Sequence, residues 1–178
     1  HFSEFLPWVA YSSDHQLYYL RDNAACWIYE CNPLVLATTD TFKSLSDMYK
    51  ISLPEGSIMQ FMLYSDPYVE DLLDHFEGLR DKNPNISPVL RRQAKNYRKF
   101  LSEGTAGLRQ LQGTPLKNYR LFFSVRVPID TSFATNQDGW LDEALEHQNL
   151  VNNATEVMKG AGIKSYSLLP HELITCMY

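Results

Sequence analysis

The sequence predicts an α+β fold: a mixed, largely antiparallel sheet of five to six strands with helices packed mainly on one face. Two kinds of periodicity lead there. Near the N-terminus, short apolar runs are separated by polar turns, which is how an antiparallel meander reads. Further on, strands alternate with stretches that place apolar residues every third or fourth position, giving two strand–helix–strand units. The densest of these stretches, Pro54–Leu79, is the segment around which the chain is expected to be organised.

In order, Phe5–Tyr11 and Gln16–Leu20 flank the polar turn Ser12-Ser13-Asp14-His15, and Arg21-Asp22-Asn23 leads into a third strand, Ala24–Cys31. Pro33 stops it. Thr38, Thr39 and Asp40 offer N-caps for a helix with Phe42, Leu45, Met48 and Tyr49 on one face. Ser57–Ser65 is apolar at odd and even positions alike, the signature of a strand in the middle of a sheet. Asp66 then caps a helix starting at Pro67, with Val69, Leu72, Leu73, Phe76 and Leu79 as its apolar stripe.

Asn83-Pro84-Asn85 breaks that helix, and Ser87-Pro88 starts the next, with Ser as cap and Pro in the first turn. Its expected buried face is Val89, Leu90, Ala94, Tyr97, Phe100 and Leu101, opposite Arg91, Arg92, Lys95, Arg98 and Lys99. Gly104 ends it. Residues 104–115, rich in Gly and poor in large apolar groups, are the candidate mobile loop. Asn118–Val127 is a second interior strand, stopped by Pro128. Asp138 is expected to cap one long helix running to Gly160, and Ile163–Leu169 to form the last strand.

A chain of 178 residues fits one domain, or one large domain with a small appendage. A net charge of −5 argues against wholesale nucleic-acid binding. Cys26 and Cys31 lie an odd number of residues apart on one strand, hence on opposite faces, so they cannot pair. With Cys176 they read as reduced thiols of a cytoplasmic protein. No signal-peptide pattern or apolar run near 18 residues is present.

No reactive constellation emerges. None of the eight glycines is followed by Lys, so the phosphate-binding loop is missing. Gly160-Ala161-Gly162 lies between a helix and a strand, the reverse of the dinucleotide order, and reads as a helix terminator. No Ser sits in a nucleophile elbow. The five His are scattered, and His171-Glu172 lacks the second His of a zinc helix. Glu70 and Asp71 suit the dipole of a first helical turn. The sequence therefore offers no catalytic, cofactor-binding or metal-ligating residue. The one feature with functional appeal is the basic face of Arg91, Arg92, Lys95, Arg98 and Lys99, a contact surface for an acidic protein, anionic lipid or nucleic acid, or else simply a solvated helix face.

Four pieces in order then matter: FLPWVAYSSDHQLYYLRDN, ACWIYECNPL, LPEGSIMQFMLYSDP and AGIKSYSLLPHELI. Together they resemble the N-terminal region of the conjugative-transfer ATPases of type IV secretion systems, of the F-plasmid TraC type. Glu30-Cys31-Asn32-Pro33-Leu34 matches the family's Glu-x-x-Pro-Leu, and Leu53 to Phe61 its Leu-Pro-x-Gly-x-x-x-Gln-Phe. The resemblance covers most of residues 2–80 and the last fifteen or so, and its motifs are framework motifs. It implies that residues 1–169 form a non-catalytic N-terminal module, and that 170–178 begin a helix leading to an ATPase domain outside this chain. It further implies a location peripheral to the bacterial inner membrane, on the cytoplasmic side. The implied partners are other secretion components, the protein's own ATPase domain and further copies of itself, without direct nucleic-acid binding. The alternative is a free-standing small α+β enzyme or ligand-binding domain.

Overall fold

The computed structural model describes residues 6–34, 36–81, 85–108 and 112–176. They fall into two compact units. The first comprises His1–Leu63 and Leu121–Tyr178, the second Tyr64–Arg120. The C-terminal segment from Pro170 clusters with the first unit.

The first unit is built on β1 (Trp8–Ser12), β2 (Leu17–Leu20), β3 (Ala24–Cys31), β4 (Ile58–Asp66), β5 (Asn118–Pro128) and β6 (Ser165–Ser167), in the order β1-β2-β3-β5-β4, with β6 also on β3. Every pairing whose register is defined is antiparallel. The expected parallel component lies between non-neighbours: β5 and β6 both run against β3 and flank it on opposite edges. β2 occupies β3 at Ala25 and Cys26, and β6 takes over the same edge from Tyr29 to Cys31.

The turn between β2 and β3 is held by Asn23, whose φ of 58° is left-handed, a conformation Asn tolerates better than most residues. Its Nδ2 donates to the carbonyls of Ile129 (2.6 Å) and Thr131 (3.0 Å), while its Oδ1 accepts from the Phe133 amide at 2.9 Å. One side chain so fixes the path of the chain as it leaves β5.

One sheet face carries Leu17, Ala25, Trp27, Cys31, Phe123, Val125 and Val127 into the core. Against it pack α1 (Thr39–Ser46) with its following 3-10 turn, α4 (Gln137–Glu146) and α5 (Gln148–Gly160), through Met48, Trp140, Ala144, Val151, Ala154 and Met158. Helices on one face are as expected. On the other face Tyr18 is buried against Trp8 and Tyr11 and donates its hydroxyl to the Leu168 carbonyl at 2.7 Å.

Several local expectations are corrected. Thr38 does cap α1, through a reciprocal pair of bonds with Thr41. The helix then tightens to 3-10 over Asp47–Lys50, so Met48 turns inward while Tyr49 and Phe42 are exposed. The long C-terminal helix is two. Asn136, not Asp138, is the cap, accepting from the Gly139 amide at 3.0 Å. His147 interrupts the run, its amide bonding back to Ala144 and Leu145. No apolar residue stands between Leu145 and Leu150, so packing does not hold that turn in register. The final strand shortens to Ser165–Ser167, and α6 spans Pro170–Thr175, with Met177 and Tyr178 outside the described residues.

The largest correction concerns β4. It is the terminal strand of the sheet order, not an interior one, and both of its faces are substantially exposed. Alternation shows which side chains share a face, but an apolar residue open to solvent reads the same as one covered by a neighbouring layer. β5, by contrast, lies between β3 and β4 with Phe122, Phe123, Val125 and Val127 buried, as an interior strand should.

In the second unit Asp66 accepts from the Tyr68 amide at 2.9 Å, an Asx-type turn that carries the chain over Pro67 before α2 (Glu70–Asp81) starts. Ser87 caps α3 (Pro88–Glu103), accepting from the Leu90 amide at 3.3 Å. The expected break at Asn83 and Pro84 lies outside the described residues. After α3, Gly104 continues in the right-handed region; no left-handed cap occurs there. Its lack of a Cβ admits Leu116, whose Cδ1 lies 2.5 Å from where one would stand. The reversal comes at Gly107, with φ +103° and the Gly113 carbonyl against its α-carbon. The base of the expected mobile loop is therefore hydrogen-bonded, with the amides of Gly113 and Leu116 donating to Leu108 and Gly104. Residues 109–111 lie outside the described residues.

Two outcomes follow. Gly107→Ala combines an unfavourable φ with a clash against backbone, and it is expected to destabilise the chain by about 1–3 kcal/mol in urea denaturation. Glu143 accepts from the amides of Asp130 (2.7 Å) and Thr131 (2.9 Å). Burial opposes its ionisation, but those bonds, the Thr131 side chain and nearby His147 prevail and hold its carboxyl below the usual range. A depressed pKa stabilises the fold above the unfolded carboxyl value and ceases to do so as pH falls through the lower folded value. Glu143→Gln is expected to cost about 1 kcal/mol at neutral pH, with the difference from wild type closing below about pH 4, read from melting curves across pH.

Candidate interaction surfaces

Helix α3 carries all five basic residues singled out from the sequence, and the structure separates them. Helices α2 and α3 run antiparallel, so the start of one meets the end of the other. Glu70, Asp74 and Glu77 recur at i, i+4 and i+7 along α2 and form one acidic stripe. Arg98 turns into that stripe. Its guanidinium donates to Asp74 and approaches Glu70 and Glu77, each at 3.3 Å. The hydrogen bond to Asp74, together with the surrounding carboxylates, raises the Arg98 pKa further. Ser102 adds a bond to Glu70 at 2.6 Å, and Lys95 lies 4.0 Å from Glu77. Lys99 approaches Glu103 of its own helix at 3.9 Å. Arg91 is half-buried. Arg92, Lys95 and Lys99 remain exposed, so a face of five outward cations is reduced to a strip of three.

The apolar side of α3 is displaced as well. Ala94 is buried and Leu101 half-buried, but Val89, Leu90, Tyr97 and Phe100 are exposed. At about 100° per residue, the inward direction of the helix lies roughly 80° from the centre of its apolar set. The rotation brings Arg98 onto the α2 acids and leaves the far flank of the apolar set in solvent. An exposed apolar strip thus runs beside the strip of Arg92, Lys95 and Lys99. Leu72 and Leu79 of the expected α2 stripe are exposed too, with Val69 and Leu73 buried. Between the helices, Arg80 stacks over Phe76 at 3.6 Å, and Phe76 meets Tyr97 with ring centroids 5.8 Å apart. These residues, with Leu90 and Ala94, line an open cleft of about 360 Å³.

Sequence patterning did not pair the acidic stripe with Arg98, because Glu70 reads as a dipole-complementing residue of the first turn. The signal that would have found it is the i, i+4, i+7 spacing taken together with an Arg near the end of the following helix.

Among its described residues the first unit holds no comparable chemistry. Burial pushes the Cys26 thiol up to about 12 and the Cys31 thiol up to about 11, so both are protonated at neutral pH and poor nucleophiles. The two thiols lie on opposite sheet faces as expected, and no cysteine is disulfide-bonded among the described residues. A polar groove of about 450 Å³ between α5 and β6 is lined by Asn152, Thr155, Lys159, Lys164 and Tyr166, but Lys159 is already paired with Glu156 at 2.9 Å. Among the described residues, no group of three or more His, Cys, Asp or Glu is placed to hold a metal, and no helix is long and apolar enough to cross a membrane.

No curated protein matches the chain, and no solved structure matches it. A family model described as the TraC protein matches residues 2–178, nearly the whole length. The match includes the middle of the chain, where the sequence motifs were weakest. The chain belongs to the TraC protein family, the conjugative-transfer family that its framework motifs resemble.

Proposed function

We propose that this chain is a non-catalytic assembly module of a type IV secretion ATPase and attaches the motor to the inner-membrane machinery through its α2–α3 unit. The observation that supports this reading most is the pair of adjacent exposed strips on α3: Val89, Leu90, Tyr97 and Phe100 beside Arg92, Lys95 and Lys99. The apolar strip gains by leaving water, at about 25 cal/mol per Å² buried. The cations add attraction to an anionic surface. In this reading the protein lies on the cytoplasmic side, peripheral to the bacterial inner membrane. Its partners are other secretion components, its own C-terminal ATPase domain and further copies of itself. Nucleotide chemistry belongs to the ATPase domain, and nucleic acid is not a direct ligand.

Combined Arg92→Glu, Lys95→Glu and Lys99→Glu is expected to leave the melting temperature of the chain within a few degrees of wild type, since exposed pairs contribute about 0–1 kcal/mol. In the full-length protein the same change is expected to lower the membrane-associated fraction several-fold, and added salt to do likewise for wild type, because exposed charges are screened beyond about 8 Å at physiological ionic strength. An unchanged membrane fraction at low salt would leave the basic strip as a merely solvated face. Calorimetric titration of the chain with Mg-ATP is expected to show no saturable heat up to millimolar nucleotide, and micromolar binding would overturn the non-catalytic reading.

A further inference from the structure

The strand β4 ends the sheet order, and its sequence leaves that position unguarded up to Ser65, its one charge being the last residue, Asp66. Natural sheet edges are usually blunted by charged side chains, Pro or a bulge, because unpaired amides and carbonyls otherwise recruit another strand. From Ser57 to Ser65 there is no charged residue and no Pro. Apolar side chains are open on both faces of the strand: Ile58 is 53% exposed, Phe61 46%, Met62 47% and Leu63 62%.

We propose that β4 is the contact surface for a second copy of this chain, the two β4 strands pairing antiparallel about a two-fold axis near Phe61. The argument for a like partner is symmetry. An antiparallel strand paired with itself sets each residue against its mirror position. About Phe61, Ile58 meets Tyr64, Met59 meets Leu63 and Gln60 meets Met62. Any charge near the axis would sit close to its own copy and cost stability, and no residue from Ser57 to Ser65 carries one. A strand from an unrelated partner imposes no such requirement. Edge-to-edge pairing covers the strand's edge and the flanks of its side chains but not their faces, so the interface is small beside the roughly 1,600 Å² of a standard one. The pair is accordingly a reversible dimer, and it joins the sheets of two copies across the axis. This deepens the homo-oligomeric part of the proposed function, but it uses a different surface from α3.

Sedimentation velocity of the 178-residue chain, from low to several hundred micromolar, is expected to show a monomer passing to a dimer. Gln60→Lys changes an exposed, uncharged side chain and brings two like charges close to the axis. It is expected to weaken dimerisation at least tenfold, about 1.4 kcal/mol, with the circular dichroism spectrum and melting temperature kept. Met62→Lys is expected to do the same. The α3 cations are intact in both variants, so membrane attachment of the full-length protein reports on the proposed function separately. A chain that stays monomeric throughout overturns the pairing, as does a dimer indifferent to both variants. If β4 amides become protected from exchange only within a longer form of the protein while this chain is monomeric, another segment covers the edge and the pairing is likewise overturned.

Discussion

The structure of the first unit depends on satisfying one buried strand on both edges. β3 is buried at Ala24, Ala25, Cys26, Trp27 and Cys31, so none of its amides or carbonyls can rely on water there. One edge is covered by β5 along the strand's full length, from Ala24 against Pro128 to Cys31 against Leu121. The other is shared, with β2 at the first half and β6 at the second. Because β6 is the C-terminal strand and β2 lies near the N-terminus, the two ends of the described chain are tied to one central element. The hydrogen bond from Tyr18 to the Leu168 carbonyl secures the same closure from the side chains.

The second unit is held together differently. Few of its apolar side chains are buried, and much of its helix–helix contact is the pairing of Arg98 with Asp74, Glu70 and Glu77. Pairs this exposed contribute modestly one at a time. What the network adds is direction: it sets the rotation of α3 about its own axis, because a guanidinium amid three carboxylates has few other favourable orientations. The exposed apolar strip is a consequence of that rotation. An electrostatic preference between two helices thereby determines which hydrophobic residues are presented to a partner.

Much of the fold was legible in the sequence where turn and cap chemistry spoke plainly. Asp22-Asn23 before Ala24, Thr38 before α1, Ser87-Pro88 before α3 and Pro128 at the end of β5 all carry residues whose backbone preferences leave little choice. The errors occurred where periodicity stood in for burial. Ile58 to Tyr64 and Val89 to Phe100 are apolar enough for an interior, and the sequence does not reveal that they stay largely exposed among the described residues. The break at His147 was missed because Leu141, Leu145, Val151, Ala154 and Met158 read as one stripe, while the four polar residues from Glu146 to Asn149 between them were passed over. The basic residues of α3 were found as a set. Their division into one inward, one half-buried and three outward positions needed the acids of α2, which are distant in sequence from Arg98 and become its neighbours only once the hairpin closes.

The second unit leaves and rejoins the first through β4 and β5, which are neighbours in the sheet. A segment whose two attachment points are adjacent strands is topologically a very long hairpin loop. The cost of closing such a loop grows only with the logarithm of its length, roughly 0.6 kcal/mol per doubling. The sheet therefore tolerates great variation in what is spliced between Leu63 and Leu121. The helical hairpin can thus be lengthened, shortened or re-decorated at little cost to the sheet, while the strand pairings around β3 stay under the constraints of a buried core.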